Sequence, residues 1–413
     1  MRSTIFNDEF FRGLDRSVCD INEAETLPPA CYTDPEFWEF EKEAVFNHEW
    51  LCVGRESWVK EPGDYFTTAH VGEPIIVVHT RDGVVKALSA VCQHRAMQVA
   101  EGCGNTRSFL CPYHHWAYAL DGQLINAPAM ERACNFDKSK ISLPELKLET
   151  WLGFIFVNFD REAPPLGPRL AAITKALAPY DFAKADGPTR AEVSAMPWVQ
   201  PYPWNWKVQY ENSNDGYHAN RLHHGPIHDM CPSDLASFPE MPTDTAGYLR
   251  YNGTIGMDVG FNPTRKAVLP IFPGLSAEDR GRFLFVNIPP TFFLFARVDY
   301  VTTAIFRADG PESMVAERSW LVASGAMKEQ LFRERLNMTI EASAEIGAQD
   351  RHVDLLVQKG LHSRFAIRGR YSWQEGAQSS LNAWLVSRYR ACWEQRSMPK
   401  VGKSSAAGIA YWR

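Results

Sequence analysis

The spacing of apolar residues divides the chain into a helical start, a run of strands and a mixed second half. Residues 35–50 set apolar side chains among acids at helical intervals, with Asp34 as a candidate N-cap and Pro35 at the first helical position. From about 51 to 158 the pattern changes to short runs of β-branched and aromatic residues, interrupted by turn sequences such as RDG and LDG. This stretch therefore predicts a small all-β domain.

The second half mixes strand and helix patterns behind a Pro- and Gly-rich connection at 163–169. Apolar runs between 245 and 325 predict antiparallel strands, and helices packed on them predict an α+β fold. The helical patterns lie at 168–178, from about Lys207, at 327–359 and at 378–395. The predicted units are an N-terminal helical segment that packs on the larger domain, the all-β domain and the larger domain itself, at 1–45, 46–162 and 163–413.

Composition narrows the functional classes. A chain of 413 residues exceeds one ordinary core, which supports two domains. Its net charge of −6 and the lack of a basic run predict no nucleic-acid partner. The start, MRSTIFNDEFF, lacks the apolar segment of a signal peptide, and the apolar runs are shorter than a membrane span, so we expect a cytoplasmic protein without a membrane partner. The nine dispersed cysteines argue against a disulfide framework.

Two Cys/His pairs in the all-β stretch supply the first candidate chemistry. Cys92 and His94 form one pair, Cys111 and His114 form the other, and sixteen residues separate the pairs. Zinc accepts such a set in a closed tetrahedral site, which stays as the structural alternative. Because each pair contributes one Cys and one His, the set better suits a two-iron cluster with Cys ligands on one iron and His ligands on the other.

A second constellation follows about a hundred residues later in NWKVQYENSNDGYHANRLHH. His218 and His223 are five apart, so slight unwinding of a helix would let both imidazoles face one point. Two His and a distant carboxylate on one face of an iron leave positions open for oxygen and substrate. Asp215 can fix a ligand His by accepting its ring N–H, and His224 and His228 are rivals for the second imidazole.

These motifs resemble those of Rieske non-haem iron oxygenase α subunits over roughly residues 30–395. Met97 and Tyr113 stand where respiratory Rieske proteins have an extra Cys, so the resemblance favours the oxygenase type. Ala96 and His115 replace the family's usual Gly, which suggests slightly reshaped loops. The resemblance implies a Rieske [2Fe-2S] cluster held by Cys92, His94, Cys111 and His114.

The resemblance also implies a mononuclear iron. ENSNDGYH-x4-H is similar to the family's iron motif, which makes His218 and His223 ligands. QDRHVDLLVQKGL resembles the family's segment for the third ligand, with Gln349 in place of the usual Glu, and this makes Asp350 the carboxylate ligand. Asp354 and Glu345 are its rivals.

For the architecture, the resemblance implies an all-β Rieske domain and a larger catalytic domain with a helix-grip, START-like fold. Asp215 would bridge the mononuclear site to a Rieske His of a neighbouring subunit in a homotrimer. A flavin and iron–sulfur reductase, with or without a separate ferredoxin, would deliver electrons from NAD(P)H. The implied function is that of a terminal mono- or dioxygenase that uses O2 to hydroxylate a small molecule.

The substrate class is the most open part of the sequence interpretation. The segment around Asp350 and the later RGRYSWQEG resemble the branch that acts on choline, carnitine, glycine betaine and stachydrine, which implies oxidative N-demethylation or C–N cleavage. A quaternary ammonium favours an aromatic cage. Its candidates are Trp204, Trp206, Tyr217, Trp373 and Trp384. Ring hydroxylation of an aromatic acid or another aromatic compound is the alternative. A Rieske-type electron carrier and a zinc-stabilised binding protein are more distant alternatives.

Overall fold

The structure is a computed structural model that describes residues 6–196, 199–223 and 227–397. Three short helices open the chain. They are α1 (Asp8–Gly13), α2 (Ala30–Thr33) and α3 (Pro35–Glu41). Among the described residues, no helix combines the length and the apolar character needed to cross a membrane.

The predicted helix at 35–50 begins where expected and ends early. Asp34 caps α3 by accepting two backbone N–H bonds, and Pro35 occupies its first position. The α-helix ends at Glu41, and a π-helical turn continues to Phe46. The prediction was therefore right about the start of the helix and wrong about an α-helix that reaches residue 50.

An antiparallel β region follows, as the apolar pattern predicted. Its strands are β1 (Leu51–Arg55), β2 (Asp64–His70), β3 (Glu73–His79), β4 (Val85–Ser89), β5 (Cys103–Asn105), β6 (Phe109–Leu110), β7 (Ala117–Tyr118), β8 (Leu124–Asn126), β9 (Glu145–Trp151) and β10 (Phe154–Asn158). Seven of them form a sheet in the order β1-β10-β9-β4-β3-β2-β5, and β6-β7-β8 form a small second sheet. The apolar side chains between the two sheets include Ile76, Leu88 and Tyr118, which are fully buried. This region carries both Cys/His pairs.

The second half combines one large sheet with helices. Its strands are β11 (Pro201–Tyr202), β12 (Ala236–Ser237), β13 (Tyr248–Gly253), β14 (Arg282–Ile288), β15 (Phe292–Ala296), β16 (Val301–Gly310) and β17 (Ser313–Leu321). They pair antiparallel in the order β11-β17-β16-β15-β14-β13-β12. The helices are α4 (Leu166–Arg169), α5 (Ala171–Leu177), α6 (Arg190–Ser194), α7 (Trp206–Asn214), α8 (Phe332–Leu361) and α9 (Gly376–Ser397). The mixed helix-and-sheet fold agrees with the predicted α+β class.

The helical predictions for this half differ in detail from the structure. The pattern at 168–178 forms the two short helices α4 and α5, because Leu170 between them leaves the helical conformation. The patterns at 327–359 and 378–395 correspond to the long helices α8 and α9. The helix expected from about Lys207 ends at Asn214, before the histidines.

A buried ion pair fixes α7 to the N-terminal segment. Lys207 Nζ lies 2.7 Å from Glu41 Oε1, and both side chains are buried. The Trp206 indole N–H and the Tyr389 hydroxyl also donate to the Glu41 carboxylate. Removing one partner of such a pair leaves an uncompensated buried charge, at a cost of about 3–5 kcal/mol. The helix that leads to His218 is therefore held firmly in place.

Candidate metal centres

The two Cys/His pairs meet at one end of the first β region. Cys92 and His94 follow β4, and Cys111 and His114 lie between β6 and β7. Both thiols are buried and free of disulfides, whereas both imidazoles are exposed, with ring centroids 4.7 Å apart. Paired inner thiols and paired outer imidazoles match the donor set of a two-iron cluster with one Cys-bound and one His-bound iron. The residues present therefore fit the predicted cluster.

Aromatic residues support the ligand side chains of this site. The Tyr118 hydroxyl lies 3.3 Å from Cys92 Sγ and accepts the backbone N–H of Gln93. Burial raises the pKa of Tyr118 well above its usual value, so it stays a neutral hydroxyl beside the thiol. Trp116 stacks on the ring of His94 at 4.8 Å. These contacts limit the movement of one Cys and one His.

The two loops close in matching left-handed turns. Ala96 has a φ of 55° and His115 a φ of 58°, and each amide donates to the carbonyl of the Cys four residues earlier, at 3.0 Å. Glycine usually takes this conformation, because a side chain there costs about 1–2 kcal/mol. Ala96 and His115 therefore adopt the left-handed conformation that glycine favours, although each of them carries a Cβ.

The second constellation also converges. His223 Nε2 lies 2.8 Å from Asp350 Oδ1, and His218 Nε2 lies 3.6 Å from the same oxygen. The two Nε2 atoms are 3.1 Å apart. Three donors this close, two of them imidazoles and one a carboxylate, match the ligand set of non-haem iron sites with open positions. The structure therefore brings the predicted triad together.

The histidines are not on a continuous helix. His218 begins a short 3-10 turn that ends at Asn220, and Asp350 is on α8. The Arg250 guanidinium donates to the carbonyl of Asn214 at 2.7 Å, and a Cβ on Gly216 would lie 3.0 Å from the same guanidinium. Arg250, which sequence reasoning did not single out, thus fixes the turn between α7 and His218.

A hydrogen bond orients each imidazole of the triad. The Nδ1–H of His218 donates to Asp215 Oδ2 at 3.0 Å, and the Nδ1–H of His223 donates to Gln349 Oε1 at 2.7 Å. These bonds direct both Nε2 lone pairs toward Asp350. The role of Asp215 toward His218 was anticipated from its position, whereas the role of Gln349 was missed, although Gln349 precedes the predicted ligand directly.

Electrostatics favours the charged forms of His218 and Asp350 in the absence of metal. Burial tends to lower the pKa of His218, but its hydrogen bonds to Asp215 and Asp350 outweigh burial and raise that pKa to about 9. Burial tends to raise the pKa of Asp350, but the two imidazoles outweigh it and lower that pKa to about 2. Asp350 is therefore a carboxylate at neutral pH, as a metal ligand must be.

The rival ligands lie in less suitable places. Asp354 is buried one turn further along α8, where burial, aided by the charge of Asp350, raises its pKa to about 8 and favours the neutral acid. Glu345 is exposed. His228 has a buried Nδ1 without a hydrogen-bond partner among the described residues and does not join the triad, and His224 is outside the described residues.

Two cavities adjoin the triad. The Arg250 cavity, of about 180 Å³, is lined by Arg250, Asp215, His218, His223 and surrounding residues. The Arg297 cavity, of about 380 Å³, is lined by Arg297, Tyr300, Trp320, Arg351 and surrounding residues. Both are bordered by Ile227, Phe261, Phe295, Arg318, Ile346 and Asp350.

None of the aromatic residues proposed as an ammonium cage lines either cavity. Trp204, Trp206 and Trp384 are buried, whereas Tyr217 and Trp373 are about half exposed. The rings that do line the cavities belong to other positions, namely Phe261, Phe285, Phe293, Phe295, Tyr300 and Trp320. The cage prediction was therefore wrong: three of the candidates are core residues, and the two exposed ones lie outside both cavities.

Comparison with known families assigns both parts of the chain. Residues 49–147 match the family described as the Rieske [2Fe-2S] domain. Residues 188–391 match the family described as the ring hydroxylating alpha subunit, catalytic domain. The first range contains the two Cys/His pairs, and the second contains the triad.

Curated relatives match this chain over part of their length. The carnitine monooxygenase oxygenase subunit of Acinetobacter baumannii is 34% identical over 203 residues, which cover 49% of this chain and 53% of that protein. The benzene 1,2-dioxygenase subunit alpha of Pseudomonas putida is 35% identical over 226 residues, which cover 52% of this chain and 49% of that protein. The chain thus spans about half the length of the curated relatives it matches.

A solved structure extends the similarity in fold to nearly the whole chain. A quaternary ammonium Rieske monooxygenase, whose structure is described as giving insights into carnitine oxidation by gut microbiota, superposes with a TM-score of 0.75 and 24% identity. The superposition covers 93% of this chain and 99% of that one. The combination of the β region and the helix-covered sheet is therefore a known fold.

Proposed function

We propose that this chain, which belongs to the family of Rieske oxygenase α subunits, is the terminal oxygenase component of a multicomponent system. The observation that carries the proposal is the convergence of His218, His223 and Asp350 beside a cavity, in a chain that also carries two Cys/His pairs. When bound, a Rieske cluster and a mononuclear iron supply electron storage and the activation of O2.

The side chains of the chain perform the positioning. His218 and His223 present Nε2, Asp350 presents a carboxylate, and the bonds from Asp215 and Gln349 keep both rings oriented. The side chain of Asp215 is partly exposed, so it can also meet a group from outside the chain. We assign to it the bridge to a Rieske His of a neighbouring subunit in a homotrimer. Electrons reach the chain from NAD(P)H through a flavin and iron–sulfur reductase.

We assign an N-methylated amine as the substrate class. The name of the Acinetobacter relative and the solved quaternary ammonium monooxygenase support this choice. Hydroxylation of an N-methyl carbon, followed by cleavage of the C–N bond, releases formaldehyde. Hydroxylation of the other carbon chain at the carbon bound to nitrogen releases the methylated amine instead.

Ring hydroxylation of an aromatic compound is the second candidate. The phenylalanines of the two cavities favour it, because Phe261, Phe285, Phe293 and Phe295 offer faces and edges to an aromatic guest. The identity to the Pseudomonas benzene dioxygenase subunit is similar to that with the carnitine enzyme. The products distinguish the two candidates, since only the amine reaction releases formaldehyde or a free amine.

Metal analysis and product analysis test the proposal. The purified protein should contain iron and acid-labile sulfide, and it should show the visible absorption of a Rieske cluster. With a surrogate reductase and NADH, substrates from a panel of betaines and aromatic acids should stimulate O2 uptake and carry ¹⁸O from ¹⁸O2. Zinc without sulfide would overturn the proposal. Sulfide with an iron content that stays unchanged in His218→Ala would instead indicate an electron carrier.

A further inference from the structure

The Arg297 cavity has an excess of positive charge. Three arginines, Arg297, Arg318 and Arg351, are among its lining residues. Among its described lining residues the one acid is Asp350, whose carboxylate is already engaged by the imidazoles of the triad. The described lining therefore holds more basic than acidic side chains.

Arg297 is the most firmly placed of the three. Its side chain is buried, its Nε donates to the carbonyl of Tyr300 at 3.2 Å, and its Nη2 donates to Thr302 Oγ1 at 2.6 Å. The guanidinium carbon lies 4.4 Å from the ring centroids of both Phe295 and Tyr300. Burial lowers the pKa of Arg297 to about 10, so the group is still charged at neutral pH.

Among the described residues, no carboxylate lies within ion-pair distance of this buried charge, although Asp299 attracts it from further away. Within the described part of the chain, Arg297 forms no ion pair. The nearby acid Asp299 instead accepts the backbone N–H groups of Val268 and Leu269. Buried charges in proteins are normally paired, because an isolated one is costly. A ligand anion in the adjoining cavity would supply the missing partner.

Arg351 adds a second cation from a different element. It follows Asp350 on α8, whereas Arg297 follows β15, so the two arginines line the cavity from different parts of the fold. The described residues give Arg351 no ion pair either. An anion held between them would leave the rest of a small molecule facing Phe261, Ile227 and the triad.

We infer that the Arg297 cavity binds a carboxylate of the substrate, with Arg297 and Arg351 as its cationic partners. The inference rests on the proposed oxygenase function and narrows its substrate class. It selects zwitterions that carry both an N-methylated ammonium and a carboxylate, or aromatic acids. It disfavours a cation without an acid group, because the surrounding guanidiniums repel it.

Binding of matched probe pairs tests the inference. Glycine betaine and choline share a trimethylammonium group, and only the first carries a carboxylate; benzoate and benzamide form the corresponding aromatic pair. Calorimetric titration of the anaerobic holoenzyme measures the Kd of each probe without turnover. We expect the carboxylated member of at least one pair to bind about tenfold to hundredfold more tightly than its neutral or cationic counterpart. The pair that shows the preference identifies the amine or the aromatic source.

Arg351→Gln should remove most of that preference. It should leave the Kd of neutral benzamide unchanged and should not weaken the binding of choline, because the variant removes a charge that repels this cation. Lys359→Gln is the matched control, since it removes a positive charge from an exposed position on the same helix. Equal affinities within both pairs, no binding of either carboxylate, or an equal weakening of all probes in Arg351→Gln would overturn the inference. Iron and sulfide contents of the same samples test the proposed function separately, since they do not depend on which probe binds.

Discussion

The two candidate metal centres hold their histidines in opposite ways. His94 and His114 are exposed, and the described residues give their rings aromatic contacts. His223 is buried and His218 is mostly buried, and a side-chain hydrogen bond orients each of them. The first centre is suited to exchange electrons at the surface, whereas the second is suited to hold a metal beside an enclosed substrate.

The centres also differ in how far apart in the sequence the residues that form them lie. Each pair of the first centre sits within one tight turn, closed by the backbone bonds of Ala96 and His115. The second centre depends on contacts between α8 and the segment after α7, which are distant in sequence. Local backbone geometry determines the first centre, and tertiary packing determines the second.

The largest expected effect is the complete loss of one metal centre while the other stays occupied. Cys111→Ser should abolish the cluster because serine replaces a thiolate ligand, while the mononuclear iron stays. His223→Ala should do the reverse. Acid-labile sulfide, iron content and the Rieske EPR signal report both outcomes. An intact Rieske signal in Cys111→Ser would contradict the ligand assignment, and Cys103→Ser, at an exposed cysteine, is the control.

A smaller effect tests the orientation of the buried imidazoles. Gln349→Leu removes the acceptor of the His223 Nδ1–H and should weaken Fe(II) binding about tenfold to hundredfold. Gln349→Glu keeps an acceptor and should restore the affinity. Competition with a chelator measures the effect, and the cluster signal should not change. If Gln349→Leu binds iron as tightly as the wild type, the hydrogen bond does not contribute to the site.

The smallest effect tests the turns of the exposed centre. Ala96→Gly and His115→Gly each remove a side chain from a left-handed residue, which stabilises the fold. Glycine also adds conformational freedom to the unfolded chain, which offsets part of the gain. We therefore expect each variant to raise the free energy of unfolding by less than about 1 kcal/mol. Ala96→Val places a β-branched residue in the same conformation. It should lower the free energy of unfolding, by more than the glycine variants raise it. Chemical denaturation followed by cluster absorption measures both. A destabilising Ala96→Gly would mean that the strain in the turn is smaller than the effect of the freedom that glycine adds to the unfolded chain.

Local motifs explain why much of the fold and of the site could be predicted. The β-branched runs predicted the first β region, and the Cys/His spacing placed His94 and His114 on neighbouring loops. The resemblance around Asp350 pointed to a carboxylate that the structure brings to His218 and His223. Each of these predictions depended on a few adjacent residues, which a sequence displays directly.

The parts that could not be predicted depend on distant packing. Nothing near Arg297 in the sequence shows that its buried guanidinium lines the cavity beside Asp350. The proposed cage of tryptophans failed for the same reason, since Trp206 is aromatic and close in sequence to the histidines yet bonds to Glu41 in the core. The early end of α7 at Asn214 followed from tertiary contacts such as that of Arg250.

The separation of the two centres along the chain has a consequence for their order of assembly during synthesis. Every strand of the first β region is complete once Asn158 has left the ribosome, whereas the triad needs Asp350. The intervening stretch takes about 10 to 40 s to translate at ordinary rates, and domains generally fold from the N-terminus onward. The strands and ligands of the cluster site are therefore synthesised well before the mononuclear site can be completed, so an iron–sulfur carrier has the earlier opportunity to load its site.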